Sequence, residues 1–160
     1  MPNSPFGAGF NAMAVIHCFE RSLAKSGAQS LRPLRLISFE WDFDPLLLAL
    51  NYPSRFPHLR HGAPCHILER GQWKHASNLL DWELLKGNFA DLIESAKIPN
   101  IIFYDPFSYK TDPELWTSET FSRILKHCLD EPAELYTYSA STAVRVALLS
   151  AGFFVAEGVG

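Results

Sequence analysis

Two short apolar runs in this sequence each end on a carboxylate: Arg35-Leu-Ile-Ser-Phe-Glu40 and Asn100-Ile-Ile-Phe-Tyr-Asp105. Short near-continuous apolar runs suit parallel strands buried on both faces. Parallel strands need crossover connections, and the sequence around the runs supplies helical patterns. Residues 11–25 place Ala12, Val15, Ile16, Phe19 and Leu23 at helical spacing. Asp44 reads as an N-cap, with Pro45 at the first helical position ahead of Leu46 to Leu50. Further helices are predicted over 90–97, 118–129 and 141–150, and strands over 79–85, 134–138 and 153–156. The stretch 51–74 is rich in Pro, His and Arg and reads as an irregular connection. This alternation predicts an α/β fold with a mostly parallel sheet, helices on both faces and a site at the strands' C-terminal ends.

Composition narrows the setting. With 160 residues, 48% hydrophobic and 19% charged, the chain can bury a core and is read as a single domain, residues 1–160. Three widely spaced cysteines without a CxxC pair argue against a disulfide framework. No apolar run approaches the roughly 20 residues of a membrane helix, and no basic residue precedes Arg21 as in a signal peptide. A cytoplasmic protein without membrane association is expected. The net charge of −3 gives no global attraction to nucleic acid, so any contact with RNA must come from a local patch.

Gly7-Ala-Gly9-Phe-Asn-Ala12 matches G-x-G-x-x-A at the start of a predicted helix. Such glycines tighten a strand-to-helix turn and let backbone approach a nucleotide. Glu40 closes the next strand, where an acid in nucleotide-binding α/β folds accepts hydrogen bonds from ribose hydroxyls. Asp105 leaves its strand at the mouth of the sheet. Methyl transfer from a sulfonium to nitrogen is an in-line displacement needing a neutral, oriented lone pair. A carboxylate there can hold the amine, stabilise the charge developing on nitrogen and take the released proton. Phe107 and Tyr109 follow closely and offer faces for stacking a planar base.

Taken with Asp112-Pro-Glu-Leu-Trp116, Tyr138-Ser-Ala and Ala151-Gly-Phe153, these motifs occur in an order and at spacings that resemble one family. They are similar to the methyltransferase domain of tRNA 5-methylaminomethyl-2-thiouridine biosynthesis enzymes. The resemblance runs over nearly the whole chain, and the segment from Asp105 to Trp116 carries most of it. It implies a Rossmann-like class I methyltransferase fold, S-adenosylmethionine as cofactor, and methylation of the aminomethyl group on a wobble uridine of tRNA. By position, Gly7, Gly9 and Asn11 would line the cofactor loop, Glu40 would hold the ribose, and Asn88 would lie near the adenine, where the family usually has an acid. Asp105 would be the catalytic residue, with Phe107 and Tyr109 on the substrate side.

Against that family the chain reads as a partial domain, truncated at both ends. Six residues precede Gly7, two of them proline, and the chain stops at Gly158-Val-Gly160, so the first and last strands are expected to be missing. Some members carry an additional FAD-dependent oxidoreductase domain. This chain has no room for one, so no flavin is expected, and a separate oxidoreductase would act on the same modification.

Other readings stand beside this one. A truncated relative could bind RNA or a protein without turnover. Arg55, Arg60, Arg70 and Lys74 against the single acid Glu69 would supply an RNA-contacting stripe, although a solvated loop has the same composition. Asp105-Pro-Phe is similar to the D-P-P-Y motif of amino methyltransferases acting on adenine or cytosine, but lacks its second proline and tyrosine. A nicotinamide-dependent oxidoreductase would place an acid about 20 residues after the glycine motif, whereas Glu40 lies farther on. His58, His61, Cys65 and His66 match no standard zinc spacing, and no metal site is assigned. Trp41, Trp82 and Trp116 are expected to pack rather than to stack on bases.

Overall fold

The computed structural model describes residues 9–106 and 111–158. Gly7, Phe107 and Tyr109 lie outside the described residues. The chain divides into two compact units, Met1–Phe89 and Ala90–Gly160.

The first unit runs α1 (Phe10–Ser26), β1 (Leu34–Glu40), α2 (Asp44–Leu50), a 3-10 turn (Pro57–Arg60), α3 (Ala63–Arg70), β2 (Gln72–Lys74) and β3 (Leu80–Lys86). β1 and β3 pair in parallel from Leu34 opposite Leu80 to Glu40 opposite Lys86. The crossover between them carries α2 and α3, as a parallel pairing requires. β2 returns antiparallel along β3, giving the order β1-β3-β2. Met13 and Ile16 of α1, Leu46 and Ala49 of α2, Ala63 and Ile67 of α3, and Leu80 and Trp82 of β3 form one buried cluster. Full burial of a large apolar side chain contributes about 1.5–3 kcal/mol, so this cluster dominates the unit's stability. The indole N–H of buried Trp82 donates to Ser38 Oγ at 3.0 Å, which removes the cost of burying it unpaired.

The second unit contains β4 (Ile101–Phe103), α5 (Ser118–His127), β5 (Glu134–Tyr136) and α6 (Thr142–Ala151), while the short α4 (Phe89–Leu92) spans the division. β4 and β5 pair in parallel. Phe121 and Ile124 of α5 and Val144 and Leu148 of α6 are buried. Side-chain caps start both helices: Thr117 Oγ1 accepts from Thr120 N at 3.2 Å, and Ser141 Oγ accepts from Val144 N at 3.4 Å.

Several local expectations need correction. Residues 51–74 are not an irregular connection throughout, since they hold α3 and β2. The first helical residue of α2 is Asp44 itself. Its amide donates to Asp42 Oδ1 at 3.0 Å, so the capping carboxylate stands two residues earlier than expected. The helix expected over 90–97 gives way to a 3-10 turn at Ile93–Ser95, where Ser95 Oγ bonds back to Leu92 O at 2.7 Å and competes with the helical ladder. β4 is not buried. Ile101 and Phe103 are 56% and 58% exposed, because the strand's described partner is β5 alone and a two-stranded ribbon cannot cover both faces. Residues 153–156 form no strand among the described residues; Phe153 N instead closes the end of α6 on Leu148 O. Trp41 is 67% exposed and does not pack, whereas Trp82 and Trp116 are buried as expected.

Candidate active site

In the first unit, the parallel register brings the ends of β1 and β3 together. Glu40, the last residue of β1, is 2% exposed and is the one buried charged side chain among the described residues. A buried carboxylate is costly unless hydrogen bonds compensate it. Here Oε1 accepts the amides of Trp41 and Asp42 at 3.0 and 3.1 Å, so the carboxylate organises the turn that leaves the strand. Beside it, Gly87 N donates to the Glu40 carbonyl at 3.0 Å. Gly87 has φ 146°, a conformation that favours glycine, and it turns the chain so that exposed Asn88 follows at the same end of the sheet. Phe39 and Phe89 meet edge to face across this point, with centroids 5.0 Å apart. The structure therefore gathers two of the expected cofactor residues, Glu40 and Asn88.

Gly9 is buried and left-handed, with φ 77°, and it forms the N-cap of α1 without a side-chain cap. Asn11 is exposed in the first turn. A helix N-terminus of this kind presents backbone N–H groups and a positive dipole end to an anionic group. The described ring contact at this end of α1 runs to His58 rather than to Glu40: Phe10 stacks on His58 with centroids 3.8 Å apart.

Lys86, opposite Glu40 in the register, was not singled out from the sequence. Its Nζ lies 5.0 Å from the centroid of the Phe43 ring, beside an open apolar hollow of about 340 Å³ lined by Leu47, Ile67, Leu68 and Leu84.

The histidines of this unit have other work. His61 Nδ1 accepts Ala63 N at 3.0 Å, leaving its Nε2–H to donate to Glu20 Oε1 at 3.1 Å. His66 Nδ1 lies 3.0 Å from the Gly62 carbonyl, to which it can only donate. These rings are committed to backbone groups, and among the described residues no cluster of His, Cys, Asp or Glu has the arrangement of a metal site.

In the second unit, Asp105 follows β4 by two residues. The intervening Tyr104 fixes the strand's exit. Its amide donates to the Tyr136 carbonyl at 2.8 Å, its hydroxyl donates to the Leu115 carbonyl, and its ring meets Trp116 and Phe121 edge to face at 5.5 and 5.4 Å. Burial first, and the Asp112 carboxylate second, raise the Tyr104 phenol above the usual tyrosine range. Asp105 is exposed as a residue, yet its carboxyl lies close enough to packed protein for desolvation to raise it above the ordinary aspartate value. Such a group is a better proton acceptor than a fully solvated carboxylate.

Parallel strands with crossover helices and polar groups at their carboxyl ends define an α/β nucleotide-binding architecture. Residues 59–160 match the family described as S-adenosyl-L-methionine-dependent methyltransferase. The chain belongs to that family. Its fold is similar to the crystal structure of MNMC2 from Aquifex aeolicus, with a TM-score of 0.62 and 29% identity, covering 93% of this chain and 45% of that one. An uncharacterized protein of Methanocaldococcus jannaschii is 36% identical over 66 residues, which are 41% of this chain and 18% of that protein. The chain thus spans less than half the length of either relative. The fold is Rossmann-like, and the family is one of methyltransferases that depend on S-adenosylmethionine. Among the described residues no helix is long and apolar enough to cross a membrane.

Proposed function

We propose that this chain methylates an amine on RNA, specifically the aminomethyl group of a modified wobble uridine in tRNA. The observation that carries this reading is Asp105, a carboxylate just beyond a parallel strand whose partial burial raises it above the ordinary aspartate value, in a chain similar to MNMC2 over 93% of its length. Asp105 accepts a hydrogen bond from the amine, aligns its lone pair and takes the proton released as the new N–C bond forms. When bound, S-adenosylmethionine supplies the electrophilic methyl group. The residues at the ends of β1 and β3 fit this cofactor. The Glu40 carboxylate is already oriented by the amides of Trp41 and Asp42, as an acceptor for ribose hydroxyls must be. Gly7, Gly9 and Asn11 line the cofactor loop, and left-handed Gly9 allows close backbone approach. Asn88 contributes beside the adenine. Phe107 and Tyr109 are assigned to the substrate base by their place in the motif.

On this reading residues 1–160 belong to a single, partial cytoplasmic methyltransferase domain. An FAD-dependent oxidoreductase acting on the same modification is the partner this reading implies.

The test is calorimetric titration with S-adenosylhomocysteine, followed by transfer of labelled methyl to an anticodon hairpin RNA bearing aminomethyluridine. Micromolar binding and transfer to the modified hairpin alone are expected. Transfer to unmodified hairpins, or to free amines equally well, overturns the substrate assignment.

A further inference from the structure

Resting on the reading of RNA as substrate, we propose that the Phe10–His58 ring stack, with Arg55 and Arg60, is the surface that holds RNA bases flanking the acceptor nucleotide. Phe10 immediately follows Gly9 of the cofactor motif, so the stack stands at the entrance of α1. The two rings lie 3.8 Å apart at 29°, a stacked geometry, and Phe10 is 55% exposed. With more than half of Phe10 exposed, a further planar ring can continue the stack on its side. Phe56 meets His58 edge to face at 6.1 Å and supports it from the protein side.

The charges complete the case. Residues 52–60 contain Arg55 and Arg60 and no acid, within a chain whose net charge is −3. Both arginines are held by local contacts within the segment that carries His58. Arg55 lies 5.9 Å from the centroid of the Tyr52 ring, which is itself half exposed, and Arg60 Nε donates to the Pro53 carbonyl at 3.2 Å. Aromatic faces interleaved with guanidinium groups are the composition that grips single-stranded nucleic acid, bases by stacking and phosphates by charge. An acidic protein would use the arginines alone, whereas the exposed Phe10 ring suits a planar base, so the rings favour RNA.

The test measures binding of a fluorescently labelled anticodon hairpin RNA by anisotropy, with S-adenosylhomocysteine binding followed in parallel. Phe10→Leu is expected to weaken RNA binding roughly five- to hundredfold, the range of one lost base stack. Arg55→Gln with Arg60→Gln should weaken binding and flatten the dependence of log affinity on log salt by about one to two. S-adenosylhomocysteine affinity should stay unchanged in the arginine double variant. The arginines are exposed, so that double variant folds and remains informative even if Phe10→Leu disturbs α1. Wild-type binding that survives both variants overturns this surface and leaves the RNA reading intact. A wild type that neither binds nor methylates the hairpin overturns the RNA reading and the surface together.

Discussion

The main-chain carbonyl of Glu40 accepts the amide of Gly87 at 3.0 Å, so the residues that close β1 and follow β3 leave the sheet side by side. The same residue holds the following turn through its side chain. On the proposed reading its carboxylate has two separable roles, one structural and one toward the cofactor.

Substitution can divide them. Glu40→Gln keeps an acceptor oxygen for the amides of Trp41 and Asp42 but loses charge and one acceptor. It should melt within about 1 kcal/mol of wild type while binding S-adenosylhomocysteine at least tenfold more weakly. Glu40→Ala leaves those amides unpaired and should cost a further 1–3 kcal/mol or so in denaturant unfolding. Equal cofactor affinity in the wild type and Glu40→Gln would remove Glu40 from the site.

Asp105 should show the opposite balance between stability and activity. Its carboxyl is raised in the folded chain by desolvation, so folding favours the protonated form. The stability associated with that proton is present below the unfolded aspartate value and is lost as pH rises through the folded one. At neutral pH the ionised side chain is a net burden, and Asp105→Asn should melt no lower than wild type. The same variant should abolish methyl transfer, because an amide cannot take the proton. For the wild type, transfer should rise with pH across an interval above the ordinary aspartate value. A pH profile unchanged in Asp105→Asn would exclude the carboxylate as proton acceptor.

How much of this was legible follows from what local sequence encodes. The apolar spacing Ala12, Ile16, Phe19 foretold α1, whose buried face is written in one continuous stretch, and the run ending at Glu40 foretold β1, although in that strand only Glu40 is buried. α3 was hidden by the Pro, His and Arg around it. Yet Pro64 in its first turn, Ile67 one turn on and Gly71 just beyond its end were the signal that was there to read. β2 is three residues long and exists through pairing with β3, which no local pattern encodes. The pairing of Glu40 with the Gly87–Asn88 turn could be guessed from the parallel topology. The Phe10–His58 stack could not, since it joins residues almost fifty positions apart with no shared periodicity.

The three cysteines should differ sharply in reactivity. Cys18 and Cys65 are exposed, whereas Cys128 is buried at the end of α5 and desolvation raises its thiol. Because the thiolate is the reactive species, a disulfide reagent at neutral pH should modify Cys18 and Cys65 quickly and Cys128 only on unfolding. Three equally fast thiols would show that α5 does not hold its C-terminal turn against the core.

Tyr104 stands between β4 and Asp105, and its hydroxyl hydrogen-bonds that strand end to the segment holding Trp116. Tyr104→Phe keeps the ring among Trp116 and Phe121 but leaves the Leu115 carbonyl without this donor, a loss of about 1–3 kcal/mol. If the hydroxyl positions the Asp105 exit, turnover should fall severalfold while S-adenosylhomocysteine affinity stays constant, since that ligand is assigned to the ends of β1 and β3. The phenol supplies an independent readout. Folding raises it, so its stabilisation is present below the ordinary tyrosine value of 10.0 and is lost as pH climbs beyond it. Wild-type stability should therefore decline more steeply on the alkaline side than that of Tyr104→Phe, which has no proton to lose. A variant with the same alkaline slope and unchanged turnover would show that ring packing alone holds this strand end.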